Sequence, residues 1–293
     1  MQLARVEGRQ QLALAELAAE FAGRRWEAFP FAAHLFLARD GELQVFARPG
    51  LARVRALRAG PTLGAAARCR LHCFPAFYVA QFEAGQCLLD RRSAAPLRWL
   101  PLRADKLAAL GPRLYALDRR AQSLYFWSAG EGRVALELPA AAQLAGFEPA
   151  EPPTHLVALL QRKGETLLLW FAAGARRALG ETRVKGAFGR ARFAADGARL
   201  LLLGESSLAV LDLRSGRLEQ RRQLRDRVVE AELAGARVVA ELAGNAFVSF
   251  ALAGGALLEH GRAAADSRMF FALEARALVE LGAETLTAQP LPE

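Results

Sequence analysis

The stretch Gly189–Leu224, G-R-A-R-F-A-A-D-G-A-R-L-L-L-L-G-E-S-S-L-A-V-L-D-L-R-S-G-R-L-E-Q-R-R-Q-L, decides the fold class. Asp196-Gly197 separates Ala191–Phe193 from the apolar run Leu200–Leu203. Gly204-Glu205-Ser206-Ser207 turns the chain into Leu208–Leu213, and Ser215-Gly216 turns it again into Arg217–Leu224. Short apolar runs bounded by such pairs read as strands joined by tight turns, and the Asp-Gly pair reads as a two-residue turn of primed type with positive φ. The stretch is therefore one sheet of three to four strands.

Weaker copies of this sheet fill most of the chain. His34–Ala38, Leu43–Ala47 and Arg53–Leu57 form a first meander; Leu71–Phe82, Gln86–Asp90 and Leu97–Leu102 form a second. Lys106–Leu110, Leu114–Leu117, Ser123–Trp127 and Val134–Leu138 form a third. The Ala- and Pro-rich run Ala140–Pro153 reads as a connector into His155–Gln161, Thr166–Phe171 and Arg177–Leu179. Beyond the opening stretch come Arg227–Leu233, Arg237–Ala243, Ala246–Ala251 and Leu257–His260, then Met269–Leu273, Ala277–Glu280 and Thr285–Ala288.

The turns that follow the third strand of each unit fall at Gly50, Ser93, Gly130, Gly174, Gly216 and Gly254, separated by 43, 37, 44, 42 and 38 residues. A period near forty with three to four strands per repeat is the signature of a β-propeller blade. A pair of packed sheets would not sustain that period over six units. The motif Phe193-x-x-Asp196-Gly197-x-x-Leu200…Leu208-x-Val210-x-Asp212-x-x-x-Gly216 is similar to the repeats of WD-repeat and YVTN-type propellers, and Asp40-Gly41-x-Leu43-x-Val45 echoes it. No Gly-His dipeptide opens a unit, and Trp127, Trp170 and Asp212 stand only singly where a Trp-Asp pair would be.

The resemblance implies an all-β protein, a β-propeller of about seven four-stranded blades over residues 31–293. Residues 1–30 are expected as a lead-in. Its run 10–23, Q-Q-L-A-L-A-E-L-A-A-E-F-A-G, is helix-favouring and ends at Gly23, with Leu14, Leu17 and Phe21 on one face. A strand around Gln2–Val6 is expected to complete the last blade. The runs Leu167–Leu169, Leu200–Leu203 and Val238–Leu242 are expected as inner strands buried on both faces.

Composition narrows the function classes. The chain has no isoleucine, one asparagine and three lysines among its 293 residues, so its arginines partly stand in for lysine. The net charge of +9 is nevertheless local. Arg48 to Arg120 holds 14 Lys or Arg against 4 Asp or Glu, residues 1–47 hold 5 against 6, and residues 121–293 hold 20 of each. Arg53, Arg55, Arg68, Arg70, Arg91, Arg92, Arg119 and Arg120 form the candidate docking surface, a positive sector for an acidic partner or for phosphate. The aromatics among them, Phe74, Phe77, Tyr78 and Phe82, read as core. No apolar run is long enough to span a membrane, and the first residues show no secretory pattern. Three cysteines do not make a disulfide framework. A cytoplasmic protein is the expectation.

Signs of catalysis are sparse. Cys69-x-x-x-Cys73 with His72 and Cys87 is the nearest approach to a metal set. In an extended strand Cys69 and Cys73 lie about 13 Å apart, at ~3.3 Å per residue, and His72 faces the other way. His34, His155 and His260 are scattered, and no nucleophile elbow, Walker loop or zincin motif occurs. Neither cofactor nor metal is expected. The expected role is a non-enzymatic scaffold for protein partners in a bacterial multiprotein assembly. The chain's size resembles the propeller component of systems that pair an AAA+ ATPase with a von Willebrand A-type protein. Nucleic-acid binding through Arg48–Arg120 is the first alternative, and a hydrolase or lyase with a site in the channel is the second.

Overall fold

A computed structural model describes residues 27–39, 42–48, 52–58, 69–82, 85–101, 103–128, 130–150, 154–244, 246–262, 268–272, 277–281 and 286–290. All regular elements among them are strands. The first sheet is β1 (Glu27–Pro30), β2 (His34–Arg39), β3 (Glu42–Ala47) and β4 (Ala52–Arg58). The second is β5 (Arg70–Cys73), β6 (Phe77–Phe82), β7 (Gly85–Asp90) and β8 (Pro96–Leu100). The third is β9 (Lys106–Leu110), β10 (Arg113–Asp118), β11 (Ser123–Ser128) and β12 (Gly132–Ala135). The fourth is β13 (Gln143–Pro149), β14 (His155–Arg162), β15 (Glu165–Ala172) and β16 (Gly180–Lys185). The fifth is β17 (Phe188–Phe193), β18 (Arg199–Gly204), β19 (Ser207–Asp212) and β20 (Leu218–Gln223). The sixth is β21 (Val228–Ala234), β22 (Arg237–Leu242), β23 (Ala246–Ala251) and β24 (Leu258–Arg262). A three-stranded sheet follows, β25 (Arg268–Ala272), β26 (Ala277–Leu281) and β27 (Leu286–Pro290).

Strand order within every sheet follows chain order, so each is a meander. The chain divides into two compact units, Met1–Pro112 and Arg113–Glu293. Among the described residues no helix is long and apolar enough to cross a membrane.

The run Leu200–Leu203 shows why these sheets need neighbours. All four leucines are buried. Side chains alternate across a strand, so Leu201 and Leu203 join Val238, Ala240, Val248 and Phe250 of the sixth sheet. Leu200 and Leu202 join Val157, Leu159 and Leu168 of the fourth. Each such leucine contributes about 1.5–3 kcal/mol of transfer free energy, and both faces must be covered to collect it. Phe36, Val45, Tyr78 and Leu89 do the same between the first and second sheets. These runs lie on second and third strands, so the expectation that they are inner strands is corrected: they are the middle of each sheet.

The turns work differently from the two-residue reading. Between β17 and β18 the loop runs 194–198; Gly197 has φ 65°, whereas Asp196 accepts a hydrogen bond from the Ala198 amide at 2.8 Å. After β19, Asp212 Oδ1 accepts from the Ser215 amide at 2.6 Å and Gly216 has φ 69°. Asp90 repeats this with the amide and hydroxyl of Ser93, both at 2.7 Å. The Asp therefore supplies a side-chain cap and only the glycine supplies the left-handed residue. A two-residue turn with positive φ occurs at Lys163-Gly164, φ 41° and 84°.

Fourth strands end the sheets, and their edges are blunted. β4, β8, β12, β16, β20 and β24 hold ten Arg or Lys against three Glu. Registers skip Val54, Leu97, Glu219 and His260 on four of them. Charged, bulged edges resist pairing with another chain. The bulges also account for two exposed apolar side chains, Val54 and Leu97.

Four further expectations change. Leu71–Phe82 is two strands, because Phe74-Pro75-Ala76 folds back with the Phe74 amide donating to the Phe77 carbonyl at 2.9 Å. The connector Ala140–Pro153 contains a full first strand, β13, and the strand expected at Arg177–Leu179 begins instead at Gly180. The first sheet begins at Glu27. The helical run 10–23 and the closing strand around Gln2–Val6 lie outside the described residues.

Candidate functional site

The arginines singled out from the sequence occupy different settings. Arg53 and Arg55 lie on β4, the outer edge of the first sheet. Arg53 Nε donates to Gln44 Oε1 at 2.9 Å, and Arg55 Nε is buried without a hydrogen bond among the described residues. Arg70 is exposed on β5, the first strand of its sheet. Arg91 is partly buried: its guanidinium lies 4.7 Å from the Tyr78 ring centroid and donates to Cys73 Sγ at 2.7 Å. Arg92 is exposed in the β7–β8 turn, and Arg119 and Arg120 are exposed in the β10–β11 turn. Arg68 lies outside the described residues. In the first unit, these side chains occupy a sheet's outer edge, a first strand and a turn, and Arg91 serves packing.

The thiol and imidazole set separates as well. Cys69 is buried and Cys73 exposed, whereas His72 Nε2 lies 2.8 Å from Gln81 Oε1. His34 Nδ1 is 3.1 Å from the Tyr78 hydroxyl, and burial, aided by Arg91, holds its pKa below 6.5. Among the described residues, no three His, Cys, Asp or Glu side chains converge as a metal site.

The structure gathers instead a set that the sequence reading missed, on the first strands of the fourth, fifth and sixth sheets. Each of these strands carries a bulge near its start: the registers skip Ala145 on β13, Gly189 on β17 and Val229 on β21. A bulge takes one residue out of the ladder and bends the strand. Arg190 uses the freed backbone, with Nη2 donating to the Val228 carbonyl at 2.9 Å and Nη1 to the Val229 carbonyl at 2.5 Å.

Two residues on, Arg192 reaches both ways. It lies 3.5 Å from Glu148 of β13 and 3.3 Å from Glu230 of β21. Glu148 is the most enclosed member, its side chain 10% exposed. Partial burial opposes the charge on Arg192, but Glu230 and then Glu148 outweigh it and hold its pKa above the ordinary arginine value. An Arg-x-Arg on one strand thus faces Glu148 on one side and Glu230 on the other. The sequence signal is Arg190-x-Arg192 set one repeat before Glu230-x-Glu232. Glu148 was hidden because its strand was read as connector.

Beside this cluster lies a cavity of about 580 Å³ whose wall includes Gln161, Gly189, Arg190, Glu205, Arg227 and Val229. It lies where the β14–β15 and β18–β19 turns and the β16–β17 and β20–β21 connections meet. Exposed Arg162, Lys163, Lys185 and Arg225 belong to the same turns and strand ends, with Glu165, Glu205 and Asp226 as the acidic residues among them. Among the described residues, Arg227 makes no side-chain hydrogen bond or ion pair. An ideal Cβ at Gly189 would meet nothing within 4 Å.

Solved structures give the architecture its name. The Cps50 (Swd1) β-propeller domain of Myceliophteria thermophila is similar over 91% of this chain and 99% of its own, with 13% identity and TM-score 0.56. The Dos1 propeller is similar over 87% of this chain and 74% of its own, with 11% identity and TM-score 0.59. This chain has the β-propeller fold. A third likeness, BamB from Moraxella catarrhalis, covers 87% of this chain and 81% of that one, with 10% identity and TM-score 0.58. Identities this low carry the fold alone. No protein-family model and no curated protein sequence matches the chain. The six four-stranded meanders match the forty-residue period.

Proposed function

We propose that this chain is a non-enzymatic propeller of about seven blades that holds protein partners within a bacterial multiprotein assembly. One observation carries the reading: the carboxylates Glu148 and Glu230, on first strands either side of β17, are both paired with Arg192. A general acid–base pair needs carboxyl groups poised against each other or against substrate. Here they act as ties between sheets. The charged, bulged edges of the fourth strands support a stiff body that presents faces and turns to partners, not free strands. Structural neighbours include a chain from the mitotic checkpoint complex.

The test is affinity purification from the source cells at low and moderate salt, with the recovered proteins identified by mass. A stoichiometric protein partner retained at moderate salt is the expected result. Recovery of the propeller alone under both conditions would overturn the reading. The concentration of 14 basic against 4 acidic residues between Arg48 and Arg120 favours one alternative, nucleic-acid binding. Nucleic acid retained at low salt and lost at moderate salt would support it, since phosphate contacts are strongly salt-dependent.

A further inference from the structure

We infer that the cavity between the bulged starts of β17 and β21 receives a carboxylate-bearing peptide segment of a partner protein, with Arg227 as its ion-pairing group. The inference rests on the scaffold reading and names the chemistry of one docking site. Arg190 and Arg227 share the wall of one cavity but differ in what they hold. Arg190 is bound to the Val228 and Val229 carbonyls and lies 3.8 Å from Glu230. Arg227 is exposed and has no side-chain partner among the described residues. The bound arginine shapes the cavity, and the unbound one is available to a ligand anion.

Charge and shape together select the occupant. Exposed Arg162, Lys163, Lys185 and Arg225 stand within two residues of lining positions in the sequence, against Glu165 and Asp226, and this surplus of positive charge attracts an acidic segment. Glu205 stands in the wall itself. It disfavours a polyphosphate backbone, which would bring a charge at every step, more than a peptide with one carboxylate. The wall offers Val229 as apolar surface and, among the described residues that line it, no aromatic ring on which a base would stack. A peptide with Asp or Glu next to an aliphatic side chain satisfies both halves: the carboxylate meets Arg227, and the apolar neighbour covers Val229, which is 36% exposed. This also locates a positive site within residues 121–293, whose sequence totals are balanced. The charge there is partly sorted by the fold: Glu148 and Glu230 are spent on Arg192 between the first strands, and Arg227 is left at the cavity.

Two variants separate the site from the fold. Gly189→Trp adds bulk to the cavity wall at a position where an added Cβ meets nothing within 4 Å. Arg227→Glu reverses the unpaired charge on an exposed residue. The probe is a phage-displayed library of random short peptides selected on the intact wild-type protein, with a labelled single-stranded DNA oligonucleotide as the comparison. Selected peptides are expected to carry Asp or Glu beside an aliphatic residue. Their affinity should fall about tenfold or more in each variant, the loss of one partly desolvated charged contact. Circular dichroism melts show whether each variant folds; should Gly189→Trp not fold, Arg227→Glu decides alone.

Selection of no peptide, peptides without acidic residues, or binding that survives Arg227→Glu would each overturn the inference. So would oligonucleotide binding that is lost in Arg227→Glu and is not displaced by the peptides. The two readings fail separately. A native partner that stays bound to both variants sinks the cavity and leaves the scaffold, whereas absence of any native partner sinks the scaffold.

Discussion

Replacing Gly146 by alanine measures how tightly the first strands of the fourth and fifth sheets are pressed together. An ideal Cβ on Gly146 falls 2.5 Å from the Gly189 carbonyl oxygen. Ordinary carbon–oxygen contact is about 3.3 Å, so β13 and β17 must part by roughly 0.8 Å. The obstacle is backbone, which has no rotamer to give. Behind these strands Val157 and Leu159 pack on Ala191 and Leu200. A gap of about 0.5–1 Å forfeits a quarter to a half of each dispersion contact there. Overpacking a core costs about 1–3 kcal/mol, and the rigid obstacle puts this substitution at about 3 kcal/mol or more. At about 2–4 °C per kcal/mol for a body of this size, the melting temperature should fall by about 6–12 °C.

Gly189→Ala is the internal control, because the same methyl group on the facing residue meets nothing within 4 Å. It should change stability by no more than about 0.5 kcal/mol. Urea titration followed by circular dichroism and tryptophan emission compares the two. Indistinguishable midpoints for Gly146→Ala and Gly189→Ala would refute the close approach of these strands and with it the account of how the bulges shape the cavity.

Other outcomes follow from the same geometry. Arg192→Leu should cost about 2 kcal/mol, less than the 3–5 kcal/mol of a fully buried pair because solvent reaches half of Arg192. A double-mutant cycle with Glu148→Gln should return a coupling of about 1 kcal/mol that shrinks in high salt, and strict additivity would remove the tie between sheets. Burial lowers the pKa values of His34, His155 and His260 below 6.5, with Arg91 adding to the first and Arg237 to the last. The unfolded chain therefore takes up protons first as pH falls. Stability should be full above pH 6.5, decline as pH drops from there toward the lowered folded values, and level off below them. His155→Phe, measured by urea midpoints across that range, should flatten part of the slope. Among the thiols, an alkylating reagent should label Cys73 in the native protein, with Cys69 and Cys87 reacting only in denaturant. Both are buried, and burial raises the Cys87 pKa to about 11. Rapid native labelling of Cys87 would contradict its placement.

Local chemistry made the repeat legible. Asp212-x-x-x-Gly216 works within five residues, by a side-chain cap and a left-handed glycine, so it reads in one dimension. The run Leu200–Leu203 announces a strand covered on both faces, and the marker turns Gly50 to Gly254 announce how often the sheet recurs. First strands were harder. β13 carries a bulge, two glycine or proline positions and only part-time burial, and its composition alone reads as a connector. What makes it a strand is pairing with β14 and packing against β17, both contributed from elsewhere in the chain.

The candidate site lay further out of reach for the same reason. Charge totals showed where arginine is abundant, and the edges of the sheets claimed much of that abundance: Arg53 and Arg55 sit on β4, while Arg91 spends its cation on Tyr78 and Cys73. Arg192 meets Glu148 and Glu230 across separations of 44 and 38 residues, and nothing in the covalent chain relates three such positions. Periodicity and turn chemistry, being local, are written in the sequence. Which arginine is tied and which is left open to a ligand is settled by ion pairs and bulges between strands one repeat apart, and those exist only once the sheets have packed.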